Sequence, residues 1–127
     1  MMQKGDESNI FSFQDLTVWQ KAVDFAEAVI RVIAELDAPR RHYRLVEQLE
    51  AACTSVPMNI AEGKGRQSTK EFIQFLYIAR GSLFEALTLL MILQRLGWIG
   101  TEKMMEFQKM ALEITKMLNS LIKSMRD

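Results

Sequence analysis

The sequence from residue 68 to residue 97 reads STKEFIQFLYIARGSLFEALTLLMILQRLG. Ser68 and Glu71 form the S-x-x-E pattern of a capping box, which bonds free backbone N–H groups at the start of a helix. Apolar residues then recur every three or four positions as far as Leu96, and Gly97 provides a stop. This spacing predicts one long amphipathic helix, with Gly81 in its middle at a place where we expect close helix packing.

Similar spacing predicts three more helices. The first extends from Asp15 to Leu36, the second begins near Tyr43 and is closed by Gly63 and Gly65, and the fourth begins at Thr101 as its N-cap. The links between them are short, so consecutive helices should be antiparallel neighbours. We therefore expect an all-α protein, an antiparallel up-down-up-down four-helix bundle. It should form a single domain over residues 1–127, with residues 1–12 as a flexible tail.

Composition excludes several classes of function. The 127 residues contain 16 Lys and Arg against 16 Asp and Glu, so the chain is not a strongly basic nucleic-acid binder of the histone type. Cys53 is the only cysteine and His42 the only histidine, which excludes a disulfide framework, a thiolate zinc site and a two-histidine di-iron site. We expect Cys53 to be a small buried residue and His42 to be solvated in a loop. We predict no enzymatic activity, no catalytic residues, no metal site, no cofactor and no small-molecule substrate.

The cellular location is also predicted from composition. The segment from Met1 to Ser12 contains no apolar run, so we do not expect a signal peptide. The longest apolar stretches fall short of the roughly 18 residues that a membrane span needs. With a single thiol besides, the chain is expected to be cytoplasmic and to have no membrane partner.

The helices carry more apolar residues than one bundle core needs. On the first helix the predicted core-facing seam consists of Leu16, Trp19, Val23, Ala26, Ile30 and Ile33. Other apolar residues lie off the seams and widen the apolar arc of the first helix to about 160°, against about 100° for an ordinary bundle helix. The off-seam residues that we predict to form an oligomer interface are Val18, Phe25, Val32, Phe84 and Leu89. The alternative is a wide core closed by the loops and by Phe11 and Phe13.

The second helix contains the sequence SVPMNIAEG from Ser55 to Gly63. Pro57 lacks an N–H group, so we expect a kink or a local opening of the helix. The Asn59 amide is placed to bond nearby backbone, and Glu62 is placed to pair with a basic residue. A structural role is predicted for the set Pro57, Asn59, Glu62 and Gly63, because no second acid, base or metal ligand accompanies Glu62.

Two basic clusters are candidate nucleic-acid contacts. The first consists of Arg40, Arg41 and Arg44, and the second of Lys64, Arg66 and Lys70. The second helix separates them by roughly 30 Å, at opposite ends of the bundle, and antiparallel packing brings Lys123 and Arg126 to the second end. Either cluster could contact phosphates, and either could be an ordinary solvated loop partly neutralised by Glu47 and Glu62.

Two motifs carry a family resemblance. They are the SVPxNIAEG block from Ser55 and the SxxEFxxFLxIAxGSL block from Ser68, and the opening FxDLxVW from Phe13 to Trp19 adds to them. Over about residues 13–99 the chain resembles the four-helix-bundle family named for proteins encoded in intervening sequences of bacterial 23S ribosomal RNA. A more distant similarity is to the accessory bundle protein of diversity-generating retroelements, which is basic where this chain is neutral.

The resemblance implies a homopentameric ring with a central channel, without enzymatic activity, whose partners are other copies of itself and RNA or ribosomes. On this basis we expect a homo-oligomeric bundle that binds structured RNA, such as ribosomal RNA, through the basic clusters. The alternative is a protein–protein adaptor that uses apolar surface on the first or third helix. Salt distinguishes them, because phosphate binding weakens steeply with ionic strength and apolar binding does not.

Overall fold

Four α-helices account for most of the residues that the structure, a computed structural model, describes, namely 10–36 and 42–126. They are α1 (Thr17–Ala34), α2 (Tyr43–Lys64), α3 (Thr69–Arg95) and α4 (Thr101–Met125), and a short 3-10 helix, Ser12–Asp15, precedes them. No β-strand occurs within the described ranges. The predicted all-α fold with four helices is confirmed, and each helix lies within a few residues of its expected position.

The helices pack as a closed four-membered bundle. α2 contacts α1 and α3, and α4 contacts α3 and α1. The short links between α2 and α3 and between α3 and α4 make these neighbours antiparallel. All four helices supply fully buried side chains, and no polar or charged residue is buried among those described. The buried core of the described residues therefore consists of apolar side chains.

The residues that α1 buries are not all those that were predicted to face the core. The residues that it buries are Val18, Ala22, Phe25, Ala26, Val29 and Ile33. Of the predicted seam, Val23 is only half-buried and Ile30 is 36% exposed. The ring of Phe25 instead meets that of Phe107 on α4 edge to face, with centroids 6.2 Å apart at 82°. The core face of α1 is thus rotated toward the row that contains Phe25.

The helix ends agree with the predictions on α3 and differ elsewhere. The Ser68 hydroxyl accepts a hydrogen bond from the Glu71 N–H at 3.1 Å, and Gly97 has the left-handed φ of +81° that favours glycine after a helix. At the N-terminal end of the bundle, the Phe11 N–H donates to Gln14 Oε1 at 2.8 Å, before the 3-10 helix. The N-cap of α4 is Gly100, one residue before the predicted Thr101.

The glycines of the long helices agree only in part with the predictions. Gly65 is the C-cap that ends α2 after Lys64, as predicted, whereas Gly63 is buried within the last turn, where a Cβ atom would lie 2.6 Å from Phe75 Cβ. Gly81 has nothing within 4 Å of the position where a Cβ atom would lie, so the expected close packing at Gly81 is wrong. The close contact between α2 and α3 is at Gly63.

By length and average composition alone, α3 could also cross a membrane. Arg80 and Glu85 break the apolar run of α3 but lower its average hydropathy only slightly, so no unbroken apolar stretch of this length is visible in the sequence. In the bundle one side of α3 buries a row that runs from Leu76 to Leu93. A core helix of this kind passes the same test of length and composition.

Candidate nucleic-acid interface

The first predicted basic cluster is only partly within the described residues. Arg40 and Arg41 lie outside them. Arg44 is exposed beside Glu47 and Gln48, with which it lines a shallow hollow. The ring of His42, at the N-cap of α2, is half-buried against that of Trp98, with centroids 5.3 Å apart, so it is only partly solvated. The acid beside Arg44 weakens the local positive potential.

The second predicted cluster is divided between two sides of the bundle end. The Arg66 guanidinium pairs with Glu62 at 2.9 Å and lies 4.8 Å from the ring centroid of Phe75. Lys64 Nζ lies 6.0 Å from the ring centroid of Phe72. Lys70 is exposed on another face of α3. Arg66 is thus occupied by an acid and a ring, and the three cations do not form one site.

A different group of cations lines a hollow between α3 and α4. It has a volume of about 300 Å³. Its lining residues are Tyr77, Arg80, Asn119, Ile122, Lys123 and Arg126. We call this the α3–α4 pocket. Three of its side chains are cations and none is an acid, so a negatively charged group would be attracted into it.

Hydrogen bonds across the two helices hold the pocket in shape. Arg80 Nη1 donates to Asn119 Oδ1 at 2.7 Å, and Arg126 Nη1 donates to the Tyr77 hydroxyl at 2.6 Å. The guanidinium of Arg80 also lies 4.9 Å from the ring centroid of Tyr77, a cation–π distance. Among the described residues, both arginines are therefore held by neutral partners and not by acids.

Among the described residues, few acids lie near the pocket. Residues 72–84 of α3 and residues 114–126, at the end of α4, contain no Asp or Glu, and the Arg80–Asn119 bond shows that these segments face each other. The ion pairs found in the described ranges are Lys21–Glu113, Arg31–Glu27, Arg66–Glu62 and Lys103–Glu106. We give the name basic face to the half-buried Arg80 and the exposed Lys70, Lys116, Lys123 and Arg126; of these, Lys70 lies beside Glu71.

The basic face continues into an apolar surface. Tyr77, Phe84 and Met91 are seven residues apart on α3, which places them on one side of the helix, about 10 Å from one to the next. α4 carries a matching row at the same spacing, Met105, Leu112, Asn119 and Arg126. The exposed residues Phe84, Met91, Met105 and Leu112 form what we call the apolar patch. The seam between α3 and α4 is therefore polar and cationic at one end and apolar at the other.

The predicted oligomer interface is largely wrong. Phe25 is completely buried in the core of one chain, and Val18 and Leu89 are almost completely buried. Val32 is half-buried and packs against the same core. Phe25, Val18 and Leu89 therefore offer no surface to a partner, Val32 offers only part of its side chain, and Phe84 is 46% exposed. The surplus apolar arc of α1 contributes a hollow of about 520 Å³ beside α2 instead, lined by Val23, Ile30, Pro57 and Met58 among others.

Cys53 is buried, and its Sγ donates to the Glu50 carbonyl oxygen at 3.4 Å. Burial raises the pKa of the thiol to about 11, and the charge of Glu50 adds to the rise. No group of three or more His, Cys, Asp or Glu side chains able to hold a metal occurs in the described part of the chain. The thiol therefore lacks the lowered pKa of a nucleophilic cysteine.

We predict that native Cys53 is almost inert to a thiol reagent such as DTNB at pH 8 and reacts at once after unfolding in guanidinium chloride. The thiolate fraction at that pH is on the order of a thousandth, and the sulfur is also inaccessible. Because the folded pKa lies above the unfolded value, the contribution of Cys53 to stability should be fully present below about pH 9 and be lost as the pH rises toward 11. Full reaction of the native protein within seconds would contradict the burial of Cys53.

Comparisons with known proteins agree with this architecture. The sequence profile described as "23S rRNA-intervening sequence protein" matches residues 14–120. The chain belongs to that family. A search of curated proteins returns no match. Among solved structures, the chain is similar to a Bacteroides thetaiotaomicron protein of unknown function from the S23 ribosomal protein family. The two share 29% identity at a TM-score of 0.78 over 84% of this chain and 99% of that one.

Membership of the 23S rRNA-intervening sequence protein family confirms the resemblance and extends it into α4. The structure gives the family's SVPxNIAEG block packing roles in this chain. The Asn59 Nδ2 donates to the carbonyl and the hydroxyl oxygens of Ser55, both at 2.8 Å, and the Ser55 hydroxyl bonds that of Ser82 on α3 at 2.8 Å. Glu62 pairs with Arg66, and Gly63 permits the close approach of α3. The block therefore joins α2 to α3.

The α3–α4 pocket is the feature that sequence reasoning missed. Lys123 and Arg126 were expected near the end of the bundle, but Tyr77, Arg80 and Asn119 were not assigned to any site. A signal was present in the sequence: Tyr77 and Arg80 are three apart, and Asn119, Lys123 and Arg126 are four and three apart. Such spacings place residues on one helix face. Which helix faces meet depends on tertiary packing, and these spacings do not reveal it.

Proposed function

We propose that this protein is a non-enzymatic, cytoplasmic, homo-oligomeric helical bundle that binds structured RNA through the basic face. The observation that carries the proposal is the local imbalance of charge. The basic face holds Lys70, Arg80, Lys116, Lys123 and Arg126, whereas residues 72–84 and 114–126 contain no acid. RNA phosphates are the abundant polyanion that such a surface attracts.

Zero net charge does not oppose this proposal, because binding depends on where the charges lie. The 16 acids balance the 16 basic residues over the whole chain, but none lies within residues 72–84 or 114–126, which hold four of the five cations of the basic face. One protomer offers few phosphate contacts, and each adds little affinity at physiological salt. Several copies of the basic face in one oligomer would bind one RNA together, and linkage of this kind raises affinity by a factor of about 10² or more.

Self-association is proposed from the apolar patch. Phe84, Met91, Met105 and Leu112 are each 40% or more exposed, and folded monomers seldom leave large apolar patches uncovered. Together with family membership, this supports a closed ring of copies, for which we propose five from the resemblance to the family. The revised interface is centred on Phe84, the one residue of the predicted interface that is exposed. The ribosomal partner is proposed on the same basis.

The RNA prediction is tested by binding the purified protein to labelled 23S ribosomal RNA fragments and to double-stranded DNA from 50 to 300 mM KCl. We expect an RNA complex whose affinity falls steeply with salt, and we expect the double variant K70Q/K116Q to bind less tightly with a shallower salt slope, by about one per lysine. K109Q is the matched control, because Lys109 lies on α4 between Glu106 and Glu113. Absence of an RNA complex even at 50 mM KCl would refute the proposed function.

The oligomer prediction is tested by light scattering after size-exclusion chromatography. We expect a wild-type mass several times the 14.7 kDa of one chain, and a shift toward monomer in Phe84→Asp, because a buried charge without a partner is costly at an interface. Ile10→Asp, an exposed apolar residue far from the patch in sequence, is the control. A monomeric wild-type protein that binds no RNA would favour the adaptor alternative, with the apolar patch as the docking surface.

A further inference from the structure

We infer that the α3–α4 pocket is a phosphate-binding site, built to hold a single phosphate group of a nucleotide or of an RNA chain. The inference deepens the proposed function and rests on it for the macromolecular ligand. It makes a separate claim, however, because a fixed site should bind a small phosphate ester without any RNA. Diffuse attraction to the basic face would not produce such binding.

The hydrogen bonds of the pocket leave donors and few acceptors. Asn119 Oδ1 accepts from Arg80, and the Tyr77 hydroxyl oxygen accepts from Arg126. The two strongest acceptors are therefore engaged in positioning the arginines. Each guanidinium keeps four of its five N–H donors, and the Asn119 amide, the Tyr77 hydroxyl and the Lys123 ammonium add more. A group that fills this pocket must accept hydrogen bonds.

The number and arrangement of the cations favour phosphate over carboxylate. A carboxylate is satisfied by one guanidinium fork, whereas a phosphate presents oxygens in several directions and carries up to two charges. Arg80 comes from α3, and Lys123 and Arg126 come from α4, so charge approaches the hollow from both helices. The volume of about 300 Å³ exceeds what a single phosphate needs and leaves room for the sugar to which it is attached.

The site is first tested by calorimetry with uridine 5′-monophosphate, inorganic phosphate and, as the uncharged control, uridine. We expect both phosphates to bind and uridine not to bind. Lys123→Gln should weaken binding about tenfold, since it removes one charge-assisted contact, and Arg80→Gln should weaken it at least as much. Lys109→Gln, which removes the same charge from the same helix, should leave binding unchanged.

Lys123→Gln is the decisive variant, because the Lys123 side chain is exposed and forms none of the ion pairs or hydrogen bonds found among the described residues. Phosphate binding that is unchanged in Lys123→Gln, or absent in the wild type, would overturn the inference. A second readout locates the site: uridine 5′-monophosphate should protect Arg80 and Arg126 from phenylglyoxal and leave the exposed Arg95 reactive. Equal protection of Arg95 would mean that binding is diffuse and would also overturn it.

Binding of oligoribonucleotides shows whether the pocket holds a terminal or a backbone phosphate. It also distinguishes failure of the pocket inference from failure of the proposed RNA binding. A 5′-phosphorylated oligoribonucleotide that binds at least tenfold more tightly than its 5′-hydroxyl form, with the difference lost in Lys123→Gln, supports a terminal phosphate. Equal binding of both forms, weakened alike by Lys123→Gln, supports a backbone phosphate. If the wild type binds RNA and Lys123→Gln binds it equally well, the inference fails and the proposed function stands. If no RNA binds, the proposed function fails, and the mononucleotide titration decides the pocket.

Discussion

Replacing Phe25 by alanine should lower the free energy of unfolding by about 3–5 kcal/mol, the usual range for truncating a buried phenylalanine. The Phe25 side chain is completely buried, and its ring packs edge to face on that of Phe107, which joins α1 to α4. The substitution removes that ring contact and leaves a cavity between α1 and α4. The two helices cannot close the cavity, because the other helices of the bundle hold them apart. Urea unfolding followed by circular dichroism measures the loss.

Phe84→Ala is the matched control, because it deletes the same atoms from a ring that is 46% exposed in one chain. We expect it to cost less than about 1 kcal/mol in the dissociated protein, as a surface substitution does. Unfolding should be followed at several protein concentrations, because an oligomer gains stability with concentration. Phe25→Ala should destabilise at every concentration and Phe84→Ala only where oligomers form. The reverse pattern would place Phe25 at an interface and Phe84 in the core.

Phe25 also shows that the sequence pattern of α1 predicts the helix but not which of its sides faces the core. Two apolar rows run along the helix, one through Trp19, Val23 and Ile30 and the other through Val18, Phe25 and Val29. Periodicity alone predicts the helix with either row inside, since the residues of both rows are separated by four and seven positions, which are helical spacings. The choice depends on which row the other helices can pack against. Phe107, which is distant in sequence, packs against Phe25 and thereby places that row in the core. Hence the helix was predicted correctly and its rotation was not.

The candidate site shows the same limit for charge. Lys64, Arg66 and Lys70 are close in sequence, but the turn into α3 divides them, and Glu62 and Phe75 occupy Arg66. In contrast, Arg80 and Asn119 are distant in sequence and bonded in space. Clusters along a chain predict clusters in space only within one loop or one helix face. Local features such as the Ser68 cap and the Gly97 stop were correct because they depend on neighbouring residues.

Gly63→Ala should destabilise the protein by about 1–3 kcal/mol, although alanine is the better helix former. The added Cβ atom would lie 2.6 Å from Phe75 Cβ and 2.9 Å from Phe72 Cδ1. Phe75 Cβ is fixed to the backbone of α3, so the clash is relieved only if α2 and α3 move apart. That movement would strain the hydrogen bond between Ser55 and Ser82, which joins the same two helices at 2.8 Å.

Gly81→Ala is the control that separates this clash from helix propensity. Gly81 is also inside a long helix, but nothing lies within 4 Å of the position of the new atom, so the substitution should stabilise the protein by about 0.5–1 kcal/mol. The same chemical change is thus expected to have opposite signs at the two glycines. Melting temperatures of the two variants test this directly, one below and one above the wild type. If both variants melted higher, propensity would outweigh packing at Gly63, and the close approach of α2 and α3 would be refuted.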